Sequence, residues 1–106
     1  MRNRQESLGE HYAHLAAEFV NTESNRTSLI TVTRATVSDD LRRATVFITV
    51  LPEERERVAL EFLNRSTDDF RSFVTEKTKS RRLPHFTFAI DLGDKHRRRL
   101  DSLGPL

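Results

Sequence analysis

The chain has 106 residues, 36% hydrophobic, 32% charged and 8% aromatic, which is the length of one small domain with room for a single core. No apolar run nears the ~18–20 residues a membrane span needs, Met1-Arg2-Asn3-Arg4 leads into no apolar signal core, and the absence of cysteine excludes disulfides, thiol nucleophiles and zinc-thiolate clusters. Eighteen basic and sixteen acidic residues sum to +2, but residues 1–70 hold nine Lys/Arg against twelve Asp/Glu and residues 71–106 nine against four, so a net −3 precedes a net +5. A basic C-terminal third of that kind points to a polyanionic partner, most often nucleic acid.

Leu8, Tyr12, Leu15 and Phe19 recur at spacings of four, three and four, flanked by Ala16 and Val20, and predict an amphipathic helix over about residues 5–23. Ser7 with Glu10 has the spacing of a capping box, which would start that helix slightly later. The stretch Leu29 to Val37 is rich in β-branched residues. Its apolar parity switches between Ile30/Val32 and Ala35/Val37, as a β-bulge produces. After a turn at Ser38-Asp39-Asp40, a second strand from about Arg43 to Leu51 sets Ala44, Val46, Ile48 and Val50 against Thr45, Phe47 and Thr49, completing an antiparallel hairpin.

Pro52 suits the first turn of the next helix, where Glu53, Glu54 and Glu56 complement its dipole. Val58, Ala59, Phe62 and Leu63 form its inward stripe, and Phe70, Phe73 and Val74 resume it beyond Ser66. Two helices, or one bent helix, meet near Ser66, with Thr67 or Asp68 as the N-cap of the second. Pro84 ends helix, and His85 to Asp91 alternates with Phe86, Phe88 and Ile90 inward until Gly93 breaks the strand. The expected domain is therefore a single one over residues 1–106, with its core at about 5–92 and a short basic tail at 93–106 whose Lys95–Leu103 segment is a candidate short helix. The order α-β-β-α-α-β, three strands with helices over one face, gives an α+β fold.

That order resembles the type II KH fold, and Thr31-Val32-Thr33-Arg34-Ala35-Thr36-Val37-Ser38-Asp39-Asp40-Leu41-Arg42-Arg43-Ala44 resembles the strand-turn-strand signature of the ribosome-binding factor A family. Asp69-Phe70-Arg71-Ser72 and Leu83-Pro84-His85-Phe86-Thr87-Phe88 are similar to later family segments, and the register runs unbroken over roughly residues 8–103. The resemblance implies a type II KH-like domain without catalytic activity. Such a protein binds the immature bacterial small ribosomal subunit near its decoding region, assists late maturation and rRNA processing, and is missed most in the cold. Two departures stand out: Ser66-Thr67-Asp68 occupies the usual Ala-x-Gly kink, and Ser24-Asn25-Arg26 the usual Asp-Pro-Arg. With glycine only at positions 9, 93 and 104, no G-x-x-G loop can grip nucleotides.

The candidate RNA contacts are Arg71, Lys77, Lys79, Arg81 and Arg82 along and after the third helix, with Arg42 and Arg43 at the hairpin end. Guanidinium forks pair bidentately with phosphate, and most basic residues here are arginine. Lys95, Arg97, Arg98 and Arg99 form a secondary candidate cluster, and Arg34 sits at the bulge, where a side chain is re-aimed. The phenylalanines have core spacings. Phe47 alone has the opposite parity and is expected to be sandwiched under a helix. His11 and His14, with Glu10 and Glu18 nearby, are a weak metal set without H-E-x-x-H spacing. The expected partner is small-subunit rRNA in the immature particle, bound by a cytoplasmic monomer that needs no cofactor, metal or membrane. The alternatives are a generic structured-RNA-binding module and a small metal-dependent hydrolase.

Overall fold

The computed structural model describes residues 3–23 and 28–102, with the side chains of Glu23 and residues 98–102 outside the description. The elements are α1 (Arg4–Glu23), β1 (Leu29–Val37), β2 (Arg43–Leu51), a 3-10 turn (Glu53–Arg55), α2 (Glu56–Arg65), α3 (Thr67–Thr78), β3 (His85–Ile90) and α4 (Leu92–Ser102). The strands form one sheet of order β1-β2-β3, antiparallel between β1 and β2 and parallel between β2 and β3. This is the α+β, type II KH-like arrangement implied by the element order. No helix among the described residues is long and apolar enough to cross a membrane.

The bulge falls where the parity switch put it. Val32 pairs with Ile48 and Arg34 with Phe47, leaving Thr33 as the extra residue. Ile30, Val32, Ala35 and Val37 thereby all meet the inward Val50, Ile48, Val46 and Ala44. One core joins this face with Tyr12, Leu15, Ala16, Phe19 and Val20 of α1, Ala59 and Leu63 of α2, Phe70 and Val74 of α3, and Phe86 and Phe88 of β3. Phe70 lies at its centre, fully buried, with ring centroids 4.8 Å from Phe86 and 5.3 Å from Phe19. Thus α1, α2 and α3 all cover one face of the sheet.

Local details differ from the sequence expectation. Asn3, rather than Ser7, caps α1: its Oδ1 accepts the Glu6 amide at 2.8 Å, so the helix starts earlier, at Arg4. Pro52 precedes the 3-10 turn in an extended conformation, and α2 proper begins only at Glu56. Val58 is 52% exposed because α2 buries the single i,i+4 face of Ala59 and Leu63, and Val58 lies about 100° around the helix from Ala59. At the α2–α3 junction the N-cap position of α3 is Ser66. Its hydroxyl donates back to Phe62 O at 2.8 Å, while Thr67 and Asp68 lie within the first turn. The bend between these helices is therefore made without glycine.

β3 stops at Ile90, and α4 begins at Leu92, ahead of the expected Lys95. Asp91 decides this: its Oδ1 accepts the Asp94 amide at 3.0 Å and its carbonyl the Lys95 amide at 3.0 Å, so it caps α4 and Gly93 lies in the first turn. Its Oδ2 accepts from Thr33 Oγ1 at 2.5 Å and Arg34 Nε at 3.3 Å. This buried carboxylate thus ties the bulge of β1 to the start of α4 across β2.

Candidate nucleic-acid interface

The hairpin loop holds Arg42 and Arg43 in place through its own polar groups. Leu41 N–H donates to Ser38 O at 2.9 Å and Ser38 N–H to Arg43 O at 2.8 Å. Asp40 Oδ1 accepts from the Ser38 hydroxyl at 2.6 Å and from the Arg42 amide at 3.1 Å. Those two bonds, the hydroxyl's first, hold the Asp40 carboxyl below the usual carboxylate range, so the loop is braced by an ionised group at neutral pH. Leu41 adopts φ 61°, a left-handed conformation costly for a branched side chain, and its side chain packs against the core as the loop's anchor. Both arginine side chains are exposed.

Helix α3 ends in a second left-handed residue. Lys79 (φ 60°) closes the last turn by donating its amide to Thr75 O at 2.7 Å, and the Thr78 hydroxyl donates to Val74 O at 2.8 Å. The loop that follows exposes Lys79, Arg81 and Arg82. Lys77, also exposed, places its ammonium 5.5 Å from the Phe73 ring centroid. The loop then enters β3, where His85 N–H donates to Arg42 O at 2.8 Å and His85 pairs with Arg43. Two basic segments some forty positions apart in sequence therefore meet at one end of the sheet. Exposed His85 joins them, a residue that no local sequence pattern singles out.

Arg71 belongs to this end with a different duty. Its half-buried guanidinium donates through Nη1 to Pro84 O, pinning the loop to α3. It shares a shallow depression with Asp68 and Glu76, which lower the local positive charge.

The secondary cluster lies elsewhere. Lys95 and Arg97 follow β3, whose six residues separate them from the His85 end by about 20 Å. Lys95 Nζ is committed to Glu56 Oε1 at 2.9 Å, both side chains being at least 80% buried, so it locks α4 to the start of α2. Arg97 pairs with Asp94 at 3.1 Å on the surface, and the Arg98 and Arg99 side chains lie outside the described residues, as do Ser24, Asn25 and Arg26. Phe47 does not lie under α1, α2 or α3. Its parity directs it away from them, it takes no part in the core, and the Arg34 guanidinium lies 3.9 Å from its ring centroid. The histidines of α1 do not converge on a metal-ligand set: His14 pairs with Glu18 at 3.4 Å on an exposed helix face, and no three His, Asp or Glu residues are grouped to hold a metal among the described residues.

A family model described as ribosome-binding factor A matches residues 4–104, nearly the whole chain. The chain belongs to the ribosome-binding factor A family. A ribosome-binding factor A from Macrococcus caseolyticus is 33% identical over 110 aligned positions, covering 97% of this chain and 96% of that protein. The crystal structure of ribosome-binding factor A from Thermus thermophilus superposes with a TM-score of 0.71 at 22% identity, covering 83% of this chain and 97% of that one. A homology model of the Thermus thermophilus factor, fitted into the cryo-EM map of its complex with the 30S subunit, gives a TM-score of 0.66 at 23% identity, with coverages of 76% and 87%. Within this family frame, the basic end occupies the hairpin loop and the α3–β3 loop, and the sequence departures at Ser66-Thr67-Asp68 leave the helix order intact.

Proposed function

We propose that this chain, a monomer in the cytoplasm, docks its basic end on rRNA of the immature small ribosomal subunit and assists late maturation and rRNA processing. The observation that carries the reading is the junction at His85, which gathers Arg42, Arg43, Lys79, Arg81 and Arg82 around one rigid strand end. Backbone pairing holds Arg42 and Arg43, and the bonds of Lys79 to Thr75 and of Arg71 to Pro84 anchor both ends of the other loop, so less loop ordering opposes phosphate binding. The family membership supports a ribosomal target, and the Thermus thermophilus relative is described in complex with the 30S subunit. The role is one of binding, and no chemical step is assigned to any residue.

Co-sedimentation tests this. The chain should travel with free small subunits and dissociate as salt rises, because neutralised phosphates release counterions. Arg81→Glu with Arg82→Glu should abolish co-sedimentation while the circular dichroism spectrum is retained. Binding that survives this reversal refutes the site. Equal binding to unrelated structured RNAs would instead favour a generic RNA-binding module.

A further inference from the structure

The face of the sheet turned away from α1, α2 and α3 carries one group that the basic end does not account for. Arg34, opposite Phe47 at the bulge, is 53% exposed, yet three features fix its plane. Its Nε donates to Asp91 Oδ2 at 3.3 Å, its guanidinium carbon sits 3.9 Å from the Phe47 centroid, and Asp91 is held in turn by Thr33 and the Asp94 amide. The Thr33 hydroxyl also lies 3.3 Å from the backbone carbonyl of Phe47, which fixes it beside β2. A lone surface ion pair would leave an arginine largely free. This one is stacked and steered, while its Nη1 and Nη2 have no hydrogen-bond partner among the described residues. Beside it, Thr33, Asp91, Gly93, Asp94 and Arg97 complete an open depression of about 650 Å³.

We propose that Arg34, backed by Phe47, is a stacking platform for one unpaired RNA base. The inference rests on the RNA-binding reading above and extends it to a second face. Guanidinium planes and aromatic rings both accept stacked bases, and the Nη donors suit a base edge. The route from the basic end is short, since Phe47 is four residues from Arg43 along β2, about 13 Å. Between them lie the paired Thr45 and Thr87, hydroxyl-bearing and uncharged. A protein-binding surface would be expected to offer an apolar centre, whereas this patch offers hydroxyls and a cation.

The probe is a short oligoadenylate carrying one 2-aminopurine, added to the full chain; the absence of tryptophan leaves its fluorescence clear. Wild type should quench the probe. Arg34→Lys, which keeps the charge and loses the plane, should abolish the quench and weaken binding about tenfold, the effect of losing one base stack, with the salt slope unchanged. Phe47→Leu should do the same, and thermal unfolding checks that each variant folds. Should Phe47→Leu unfold, Arg34→Lys alone decides. Quenching and affinity equal to wild type in Arg34→Lys overturn the platform, as does a loss accompanied by a changed salt slope, which marks a phosphate contact. Wild type that co-sediments with small subunits but leaves the probe unquenched also overturns it, with the docking role intact. Failure to bind either subunit or probe overturns both.

Discussion

Replacing Asp91 tests the link between the bulge and α4 most directly. In Asp91→Ala, α4 loses its N-cap, worth about 1 kcal/mol, and the charge-assisted bond from Thr33 contributes ~1.5–3 kcal/mol. The Arg34 pair adds less than ~1 kcal/mol because that side chain is half exposed. These terms share one carboxylate and do not sum freely, so the expected loss is about 3 kcal/mol, a large share of the ~5–15 kcal/mol of a typical domain. Thermal unfolding followed by far-UV circular dichroism should then show a midpoint lower by roughly 12–24 °C. The Thr33 hydroxyl, then the Asp94 amide, hold the Asp91 carboxyl below the usual carboxylate range. With a depressed native pKa, the stabilisation is fully present above the unfolded-state value near ~3.9 and is lost as pH falls through the native value. The gap between wild type and Asp91→Ala should therefore be constant from neutral pH to about 5 and close only in stronger acid. Asp91→Asn can keep the cap through its amide oxygen and should cost about half as much, without that acid dependence. A loss below about 1 kcal/mol in Asp91→Ala, or a gap that widens on acidification, would refute the reasoning.

Three further outcomes follow from single positions. A Cβ on Gly9 would lie 2.6 Å from the Ala35 carbonyl oxygen, so Gly9→Ala should lower the urea midpoint by the equivalent of ~1–3 kcal/mol despite alanine's better helix propensity; a raised midpoint sinks the close-packing argument. Lys79→Gly relieves a left-handed lysine and should stabilise the fold by up to ~1 kcal/mol, while lowering the salt slope of subunit binding by about one contact; an unchanged slope removes Lys79 from the interface. Asn64 accepts the Phe88 amide at 2.9 Å and donates to its carbonyl at 3.1 Å on the outer edge of β3. Asn64→Leu should cost about 1 kcal/mol and promote self-association through the freed edge, visible by sedimentation velocity, and a strictly monomeric variant would show that the edge is protected by other means.

Element order, strand spans and even the bulge were legible in the sequence, because each is written in local periodicity: four apolar positions changing parity between Val32 and Ala35 require one extra residue whatever the rest of the chain does. The family signature in the hairpin was legible for the same reason. Helix ends were less so. Asn3 and Ser7, or Ser66 and Thr67, are chemically equivalent caps, and packing of the whole helix chooses between them. What tertiary structure alone decided is which distant residues share a surface. The parallel pairing of β3 with β2 sets His85 beside Arg43 and unites two basic loops, while it sends Lys95 and Arg97 to the other end. The same pairing brings Asp91 within reach of Thr33, 58 positions away, converting an unremarked aspartate into the cap of α4 and the brace of Arg34. A charge count along the chain finds cations. Only strand pairing, which fixes positions independently of sequence distance, determines which of them can meet one strand of RNA.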